Sequence, residues 1–280
     1  MPVIAVINRK GGSGKSTMAT HLAAWLACQG AAVMLGDVDR QQSTRTWLKR
    51  RSPSLPSIAP WAIDQKNVLK VPVGVTHVVL DTPGGLHGFE LAKVVMSAHA
   101  ILIPVCNSVF DRESAAACIA ELMALPRVAS GRCKLGVVGM RIDARTRAAQ
   151  SLQEWATNLD LPFLGVLREA QIYVRSLESG QTIFDQRNTI VQSDLDQWAP
   201  ILEWLQPVTQ LPPPPTPATV TASPRAPSLM PAQESWVHGS RLSVFSPAHS
   251  VKSDATNNAQ KVHTARELQG MVAPGFLFRQ

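Results

Sequence analysis

The sequence predicts an α/β fold in which about seven mostly parallel strands form a doubly wound sheet with helices on both faces. Two observations support this fold class. Short apolar segments of strand length alternate with longer segments whose apolar residues recur with helical period, as expected of successive βα units. The 280 residues also suffice for one large domain with a substantial core.

The apolar segments place the elements in alternating order along the chain. Strands are expected near residues 3–8, 32–37, 57–63, 76–81, 100–105, 134–140 and 162–167. Helices are expected near residues 16–29, 42–51, 86–97, 111–125, 145–159, 172–179 and 189–205. Right-handed crossovers place the carboxyl ends of parallel strands at one edge of the sheet. Functional residues are therefore expected directly after the first, second and fourth strands.

Composition changes after residue 206, and this change divides the chain into two parts. The second part contains the run LPPPPTPATVTASPRAP, in which apolar residues follow no helical or strand period. Because proline removes backbone donors and favours extended chains, no packed core is expected there. We therefore predict a folded domain over residues 1–206 and a Pro-rich, mostly disordered tail over residues 207–280.

Charge and cysteine content narrow the function classes. The net charge of +7 permits contact with DNA or an anionic surface but is far from a histone-like excess. Four cysteines lie in apolar segments without C-x-x-C spacing, so buried reduced thiols are expected rather than disulfides or a metal site. They are Cys28, Cys106, Cys118 and Cys133. With no signal peptide pattern and no run of about 18 apolar residues, a cytoplasmic protein is expected.

The strongest motif is RKGGSGKST at residues 9–17, which joins the first strand to an apolar-periodic helix. Its glycines allow consecutive backbone N–H groups to turn inward, at a helix N-terminus that also favours anions. In such a phosphate loop, Lys15 holds the β and γ phosphates and the Ser16 hydroxyl binds Mg²⁺. Arg9 replaces the first glycine of the common pattern G-x-x-x-x-G-K-[ST]. The expected nucleotide-binding residues here are Gly11, Gly12, Ser13, Gly14, Lys15, Ser16 and Thr17.

With Lys10 five residues before Lys15, this loop resembles the deviant Walker A motif of the ParA/MinD family of P-loop ATPases. The resemblance implies a P-loop NTPase fold, ATP and Mg²⁺ as ligands, and an ATP-dependent homodimer. It also implies slow, partner-stimulated hydrolysis of ATP to ADP and phosphate. Lys10 would act in trans, on phosphates bound by the other subunit. The alternative is that Lys10 is an exposed loop cation without such a role.

Two carboxylates, Asp37 and Asp39, follow the second strand. The segment DVDRQQS resembles the switch I motif D-x-D-P-Q of ParA proteins, with Arg40 where the family usually has proline. The resemblance implies that Asp39 orients the attacking water and that Asp37 lies beside the metal. Positioning of this kind suits a slow, switch-like ATPase. Alternatively, both are turn residues that cap the next helix.

The fourth strand ends at Asp81 and continues into TPGG, a pattern that resembles Walker B and switch II. Mg²⁺ keeps several waters and is held by one or two carboxylates, so Asp81 is expected to bind its water shell. The glycines allow the following segment to move when the γ phosphate is lost. The predicted metal-site residues are Ser16, Asp37, Asp39 and Asp81.

Two later segments also resemble the family, and together the resemblance covers roughly residues 2–205. GMRIDART at residues 139–146 resembles a strand and turn with D-x-R-T, and residues 167–183 resemble a region ending E-A-x-x-x-G-x-x-I. The resemblance implies that Met140 and Arg141 neighbour the adenine and that arginines of these segments bind DNA without base readout. The candidates are Arg145, Arg147, Arg168 and Arg175. Ordinary solvated helix charges are the alternative.

Other chemically notable residues are expected to be structural. His21 and His99 lie on apolar faces and are interpreted as core or edge residues. The run Lys49–Arg50–Arg51 is interpreted as a solvated helix end, with DNA contact as the second interpretation. Five tryptophans fall at core-facing helical spacing. They are Trp25, Trp47, Trp155, Trp198 and Trp204.

The resemblance therefore implies a nucleoid-associated, cytoplasmic ATPase that positions chromosomes, plasmids or other cargo. It would bind DNA non-specifically as an ATP dimer, and a ParB-like or other adaptor would stimulate its hydrolysis. A MinD-like membrane-associated ATPase is the first alternative, but the tail offers no good basic amphipathic helix. A metabolic ligase or iron–sulfur reductase on the same scaffold and a non-hydrolysing adaptor are the others.

Overall fold

The computed structural model describes residues 1–38, 41–62, 71–186 and 188–210. Its strands are β1 Val3–Val6, β2 Val33–Asp37, β3 Ile58–Ala62, β4 His77–Asp81, β5 Ala100–Val105, β6 Lys134–Met140 and β7 Phe163–Leu167. Its helices are α1 Lys15–Cys28, α2 Ser43–Leu48, α3 Gly88–Ser97, α4 Val109–Ala124, α5 Pro126–Ala129, α6 Arg147–Asn158, α7 Gln171–Glu178 and α8 Gln192–Thr209. Short 3₁₀ turns lie at Ile183–Asp185 and Thr189–Val191.

All seven described strands belong to one parallel sheet in the order β3-β2-β4-β1-β5-β6-β7. Strands β2, β3 and β4 lie on one side of β1, and strands β5, β6 and β7 lie on the other. The order therefore reverses at β1, which creates a crevice at its carboxyl end. Asp37 and Asp81 end neighbouring strands and are partners in register.

Two apolar layers cover the two faces of the sheet. On one face, Ala5 of β1 and Ile7, just after β1, pack with residues of α3, α4 and α6. On the other, Ile4 and Val6 pack with residues of α1, α7 and α8. Because both faces are covered, every residue of β1 is buried, which explains why the strands read as continuous apolar runs. The predicted α/β fold class is confirmed.

The predicted strands are confirmed to within about two residues at the described ends; residue 63 lies outside the described residues. Helix α5 was not predicted, because four residues beginning with Pro126 contain no helical period. Helix α8 continues past the predicted end at residue 205 to Thr209. There the Thr209 carbonyl contacts His77 Nε2 at 2.8 Å, which ties the helix end to the start of β4. In the described part of the chain, no helix combines the length and apolarity that crossing a membrane requires.

The interpretation of His21 and His99 as core and edge residues is confirmed. His21 is fully buried, stacks on Trp198 and lies 5.2 Å from Tyr173, centroid to centroid. Burial lowers the pKa of His21 to about 4, although its hydrogen bond to the Thr17 carbonyl opposes that shift. His99 accepts a hydrogen bond from the Val3 amide at 3.2 Å. The five tryptophans are buried or pack partly buried against the two layers.

The expectation for the cysteines is confirmed in part. All four are free thiols, and Cys118 and Cys133 are buried. Burial raises the pKa of Cys133 to about 11, which keeps this thiol protonated and unreactive. Cys106 is half-buried, and the prediction was wrong for Cys28, which is exposed at the end of α1.

The interpretation of Arg51 as a solvated residue was also wrong. Its guanidinium forms a bidentate ion pair with Asp185 at 2.7 and 2.9 Å, and the side chains are 5% and 0% exposed. Asp185 also accepts hydrogen bonds from the Thr182 amide and hydroxyl. Burial alone acts to raise the pKa of Asp185, but Arg51 and Thr182 outweigh it and hold that pKa below its ordinary value. Arg51 therefore joins the chain after α2 to the 3₁₀ turn Ile183–Asp185.

Candidate nucleotide-binding site

The loop between β1 and α1 has the backbone conformation that a phosphate cradle needs. Gly12 and Gly14 adopt φ of 75° and 95°, a region that side chains other than glycine rarely enter. Gly14 directly precedes Lys15, the first residue of α1, and the first N–H groups of a helix have no partner within the helix and can bind an anion. A Cβ atom on Gly14 would lie 2.6 Å from Met140 Cε, so a larger residue would also require the Met140 side chain to move.

A cavity of about 470 Å³ opens in front of this loop. It brings together most of the predicted nucleotide-binding residues with α2 and the chain after β4. Its lining consists of Gly11, Gly12, Gly14, Lys15, Ser16, Thr17, Gln41, Ser43, Thr82, Pro83, Gly84 and Arg141. Ser13 is buried beneath the loop, and Lys10 is directed elsewhere; neither lines the cavity. Functional residues were expected directly after the fourth strand, and Thr82, Pro83 and Gly84 of that segment do line the cavity.

Lys15 is 7% exposed, and its ammonium lies in the loop. Its Nζ donates to the Lys10 carbonyl at 2.8 Å and contacts Ser13 Oγ at 3.5 Å. These contacts hold the ammonium beside the first turn of α1. A phosphate bound there would also accept hydrogen bonds from the backbone N–H groups of that turn.

The predicted acidic residues lie at the carboxyl ends of β2 and β4. Asp81 is 1% exposed and Asp37 is 3% exposed. Asp37 Oδ2 accepts hydrogen bonds from the Thr44 amide, the Thr44 hydroxyl and the Arg45 amide, at 2.7 to 3.3 Å. Asp37 therefore caps the start of α2, one of the two alternatives open from the sequence. Asp39 and Arg40 lie outside the described residues.

The donor set at this edge fits a hard divalent cation. Ser16 lines the cavity, as does Thr82, the residue after Asp81, and Asp37 and Asp81 end adjacent strands in register. Hydroxyl and carboxylate oxygens are the ligands that Mg²⁺ takes in nucleotide sites, where it keeps several waters. The described residues of the predicted metal site therefore have the donor chemistry that a bound Mg²⁺ would take.

A bridge that the sequence did not reveal joins the phosphate loop to the chain after β4. The Arg9 guanidinium forms an ion pair with Glu121 of α4, whose Oε1 accepts the Gly88 amide at 2.6 Å. The Gly85 amide donates to the Arg9 carbonyl at 2.6 Å. A Cβ on Gly84 would lie 3.3 Å from the Gly11 amide nitrogen, so glycine permits this close approach. These contacts therefore connect the phosphate loop to the start of α3.

A smaller cavity of about 150 Å³ adjoins the phosphate loop. Met140 and Arg141 line it together with Gly14, Thr17 and Tyr173. Arg141 adopts a φ of 59° and borders both cavities. Both residues that the resemblance placed near the base thus adjoin the loop.

The four candidate DNA-binding arginines differ in their surroundings. Arg145 and Arg147 are exposed and line a groove of about 760 Å³ between α6, β7 and α8. Arg175 is exposed on α7. Arg168 forms a bidentate ion pair with the fully buried Asp194 at 2.8 and 2.9 Å, so it also has a structural role. Arg145 pairs with its exposed neighbour Asp143 at 3.2 Å.

Comparison with known proteins places this site in a family. The model of the CobQ/CobB/MinD/ParA nucleotide binding domain matches residues 4–183. The maintenance of carboxysome distribution protein A of Gloeobacter kilaueensis is 38% identical over 111 residues, 39% of this chain and 51% of that protein. This chain thus spans about half of that relative. The chromosome-partitioning ATPase Soj of Thermus thermophilus is 27% identical over 186 residues, 54% of this chain and 73% of Soj.

Among solved structures, a putative plasmid partition protein from Borrelia burgdorferi bound to AMPPNP has the same fold. Its TM-score is 0.57 at 16% identity, and the match covers 72% of this chain and 99% of that chain. The resemblance that the loop motifs indicated is therefore confirmed. The chain belongs to the CobQ/CobB/MinD/ParA nucleotide-binding family.

Proposed function

We propose that this protein is a ParA-like ATPase that dimerises with ATP, binds DNA without sequence preference and is reset by ATP hydrolysis. One observation carries the proposal. The KGGSGKST loop forms a glycine cradle at the switch point of the sheet, directly beside the buried Asp37 and Asp81. No other described part of the chain combines backbone donors, a buried lysine and paired carboxylates in this way.

In this proposal, the backbone N–H groups of residues 11–15 and the Lys15 ammonium bind the phosphates. Lys15 exchanges its contact with the Lys10 carbonyl for a phosphate oxygen. Ser16, Asp37 and Asp81 with Asp39 would hold Mg²⁺, which would supply positive charge against the phosphates. The small cavity at Met140 and Arg141 supports a place for the adenine.

Hydrolysis in this proposal depends on orientation rather than on covalent chemistry. Asp39 accepts a hydrogen bond from the attacking water, and Lys15 stabilises charge on the phosphoryl oxygens. Loss of the γ phosphate then alters the contacts of residues 84–88, which the bridge through Arg9 and Glu121 transmits to α3. The result is a slow switch whose rate a partner can raise.

The remaining features are proposed from the family. A ParB-like or other adaptor stimulates hydrolysis, the dimer associates with the nucleoid in the cytoplasm, and residues 1–206 form the ATPase domain with residues 207–280 as its tail. Relatives are named for carboxysomes, a chromosome and a plasmid, so the family positions different cargoes. The +7 net charge supports a polyanionic surface as the track.

Lys10→Ala tests the proposed dimer. The variant should bind ATP with unchanged affinity, because Lys10 does not line the nucleotide cavity of its own chain. It should nevertheless remain a monomer with ATP, since the partner's phosphates lose their trans cation. Calorimetry measures the affinity, and light scattering after gel filtration measures the mass.

Lys134→Ala is the matched control, because Lys134 is an exposed lysine at the start of β6, at the opposite edge of the sheet. That variant should dimerise like the wild type. Equal dimerisation of Lys10→Ala and wild type would contradict the trans role.

Removing the exposed Arg145 and Arg147, just before and at the start of α6, tests the DNA surface. A plot of log affinity against log salt has a negative slope. In Arg145→Ala/Arg147→Ala, this slope should become shallower by about one for each DNA phosphate that the protein no longer neutralises. The change should be similar for different DNA sequences, because phosphate contacts carry no sequence information. Fluorescence anisotropy with ATP and two unrelated duplexes measures the slopes. Arg168→Ala is less suitable, since it also leaves the buried carboxylate of Asp194 without its cation.

Arg132→Ala/Lys134→Ala is the control, because it also removes two exposed cations, which lie near the start of β6 at the other edge of the sheet. An equal reduction of the slope in both variants would show that only net charge matters. Retention on anionic vesicles with no retention on DNA would instead favour a MinD-like surface.

A further inference from the structure

The ammonium of Lys10, proposed above to act on another subunit, is bound within its own chain. Its Nζ lies 2.5 Å from Asp111 Oδ1, and the two side chains are 38% and 13% exposed. Asp111 belongs to the first turn of α4, which follows the neighbouring strand β5. The pair therefore connects the phosphate loop to the adjacent βα unit.

The carboxylate of Asp111 is held in place for this contact. Its Oδ2 accepts the Ser108 hydroxyl at 2.5 Å and the Ser108 amide at 3.3 Å, while Ser108 Oγ accepts the Asp111 amide. This capping box fixes the side chain and leaves Oδ1 for Lys10. Desolvation acts to raise the pKa of Asp111, but hydrogen bonds from Lys10 and Ser108 hold that pKa below its ordinary value.

Without Asp111, the start of α4 would be a poor location for Lys10. A helix N-terminus carries partial positive charge and repels a cation. The Lys10 amide also donates to Asn8 Oδ1 at 3.0 Å, which fixes the backbone from which the side chain extends. The side chain is thus retained by one carboxylate.

We propose that Asp111 is a positioning residue that holds Lys10 in its own subunit and is displaced when Lys10 reaches the phosphates of a second copy. The inference rests on the proposed ATP-dependent dimer. A single, partly exposed carboxylate contributes little to binding, whereas a triphosphate offers several negative charges. The exchange is therefore favourable only when nucleotide and partner are both present, and Asp111 opposes dimerisation without ATP.

Asp111→Asn removes the charge and keeps the shape and the capping oxygen. The first measurement uses nucleotide-free protein and does not depend on dimers. The acetylation rate of Lys10, read by mass spectrometry against Lys134 in the same sample, should rise about two- to fivefold, the range expected for a partly exposed ion pair. An unchanged rate would overturn the restraint.

The second measurement uses a non-hydrolysable ATP analogue and sedimentation of the full chain. The dimer dissociation constant of Asp111→Asn should fall about two- to fivefold, because Lys10 no longer breaks an ion pair to reach the partner. In a Lys10→Ala background, Asp111→Asn should have no effect on dimerisation. A weaker dimer in Asp111→Asn alone would mean that Asp111 contacts the partner, which also overturns the inference.

Two controls separate this role from helix capping and from charge. Ser108→Ala removes the capping hydroxyl and should lower stability without the gain in dimerisation. Glu113→Gln removes an exposed acid from the same helix and should change neither measurement. If the wild type forms no dimer with the analogue, the proposed function fails, while the acetylation measurement still reports on the Lys10–Asp111 pair.

Discussion

Lys15→Ala should abolish ATP binding, with a loss in affinity of about 100-fold or more. The physical reason is that a buried cation is removed from the cavity in which three negatively charged phosphates are proposed to bind. Charge-assisted hydrogen bonds in such surroundings contribute about 1.5–3 kcal/mol each, and the lysine makes more than one with a nucleotide. Isothermal titration calorimetry with ATP and Mg²⁺ measures the loss.

Folding must be shown to be intact, because Lys15 also bonds to the Lys10 carbonyl. Circular dichroism and the thermal midpoint serve this purpose, and Lys15→Arg retains charge while altering its geometry. Lys15→Arg should also bind poorly, since the larger planar guanidinium does not fit the loop that encloses an ammonium. Normal affinity in a folded Lys15→Ala protein would refute the site itself.

Arg51→Ala should cost about 3–5 kcal/mol of unfolding free energy, because it leaves the carboxylate of Asp185 buried without its cation. The loss exceeds that of an ordinary surface substitution, which is usually within about 0.5 kcal/mol. Urea unfolding followed by far-ultraviolet circular dichroism measures the difference. Arg50→Ala is a matched control, since Arg50 is the exposed neighbour.

The double variant Arg51→Ala/Asp185→Asn distinguishes the ion pair from packing. With the carboxylate neutralised, the double variant should be more stable than Arg51→Ala alone, because no unpaired charge remains buried. If Arg51→Ala changes the stability no more than Arg50→Ala does, the pair contributes nothing and the solvated interpretation of Arg51 would be correct after all.

The positions of apolar residues could be predicted from the sequence, whereas the partners of charged residues could not. The strands and long helices follow from local apolar periodicity, which depends on neighbours within one turn or one strand. Arg51 and Asp185 lie 134 residues apart, and Arg9 and Glu121 lie 112 apart, so no local pattern connects them. The capping box at Ser108 was readable from its S-x-x-D spacing. The ion pair between Lys10 and the Asp111 carboxylate could not be read from the sequence.

The site shows the same division. The glycines and Lys15 were identifiable because a phosphate loop is continuous in sequence and its chemistry depends on consecutive backbone N–H groups. Arg168 appeared equivalent to Arg145 and Arg147, since a side chain's charge says nothing about its neighbours. Only packing distinguishes Arg168, which neutralises the buried Asp194.

By itself, the amino-acid sequence determined the fold class, the phosphate loop and the acidic strand ends, because each depends on residues adjacent along the chain. Tertiary structure alone decided which cations remain exposed and which are paired: Lys10 with Asp111, Arg9 with Glu121, Arg51 with Asp185. The reason is physical. An ion pair depends on distance and on the surrounding dielectric, and both are established only when separate βα units pack together.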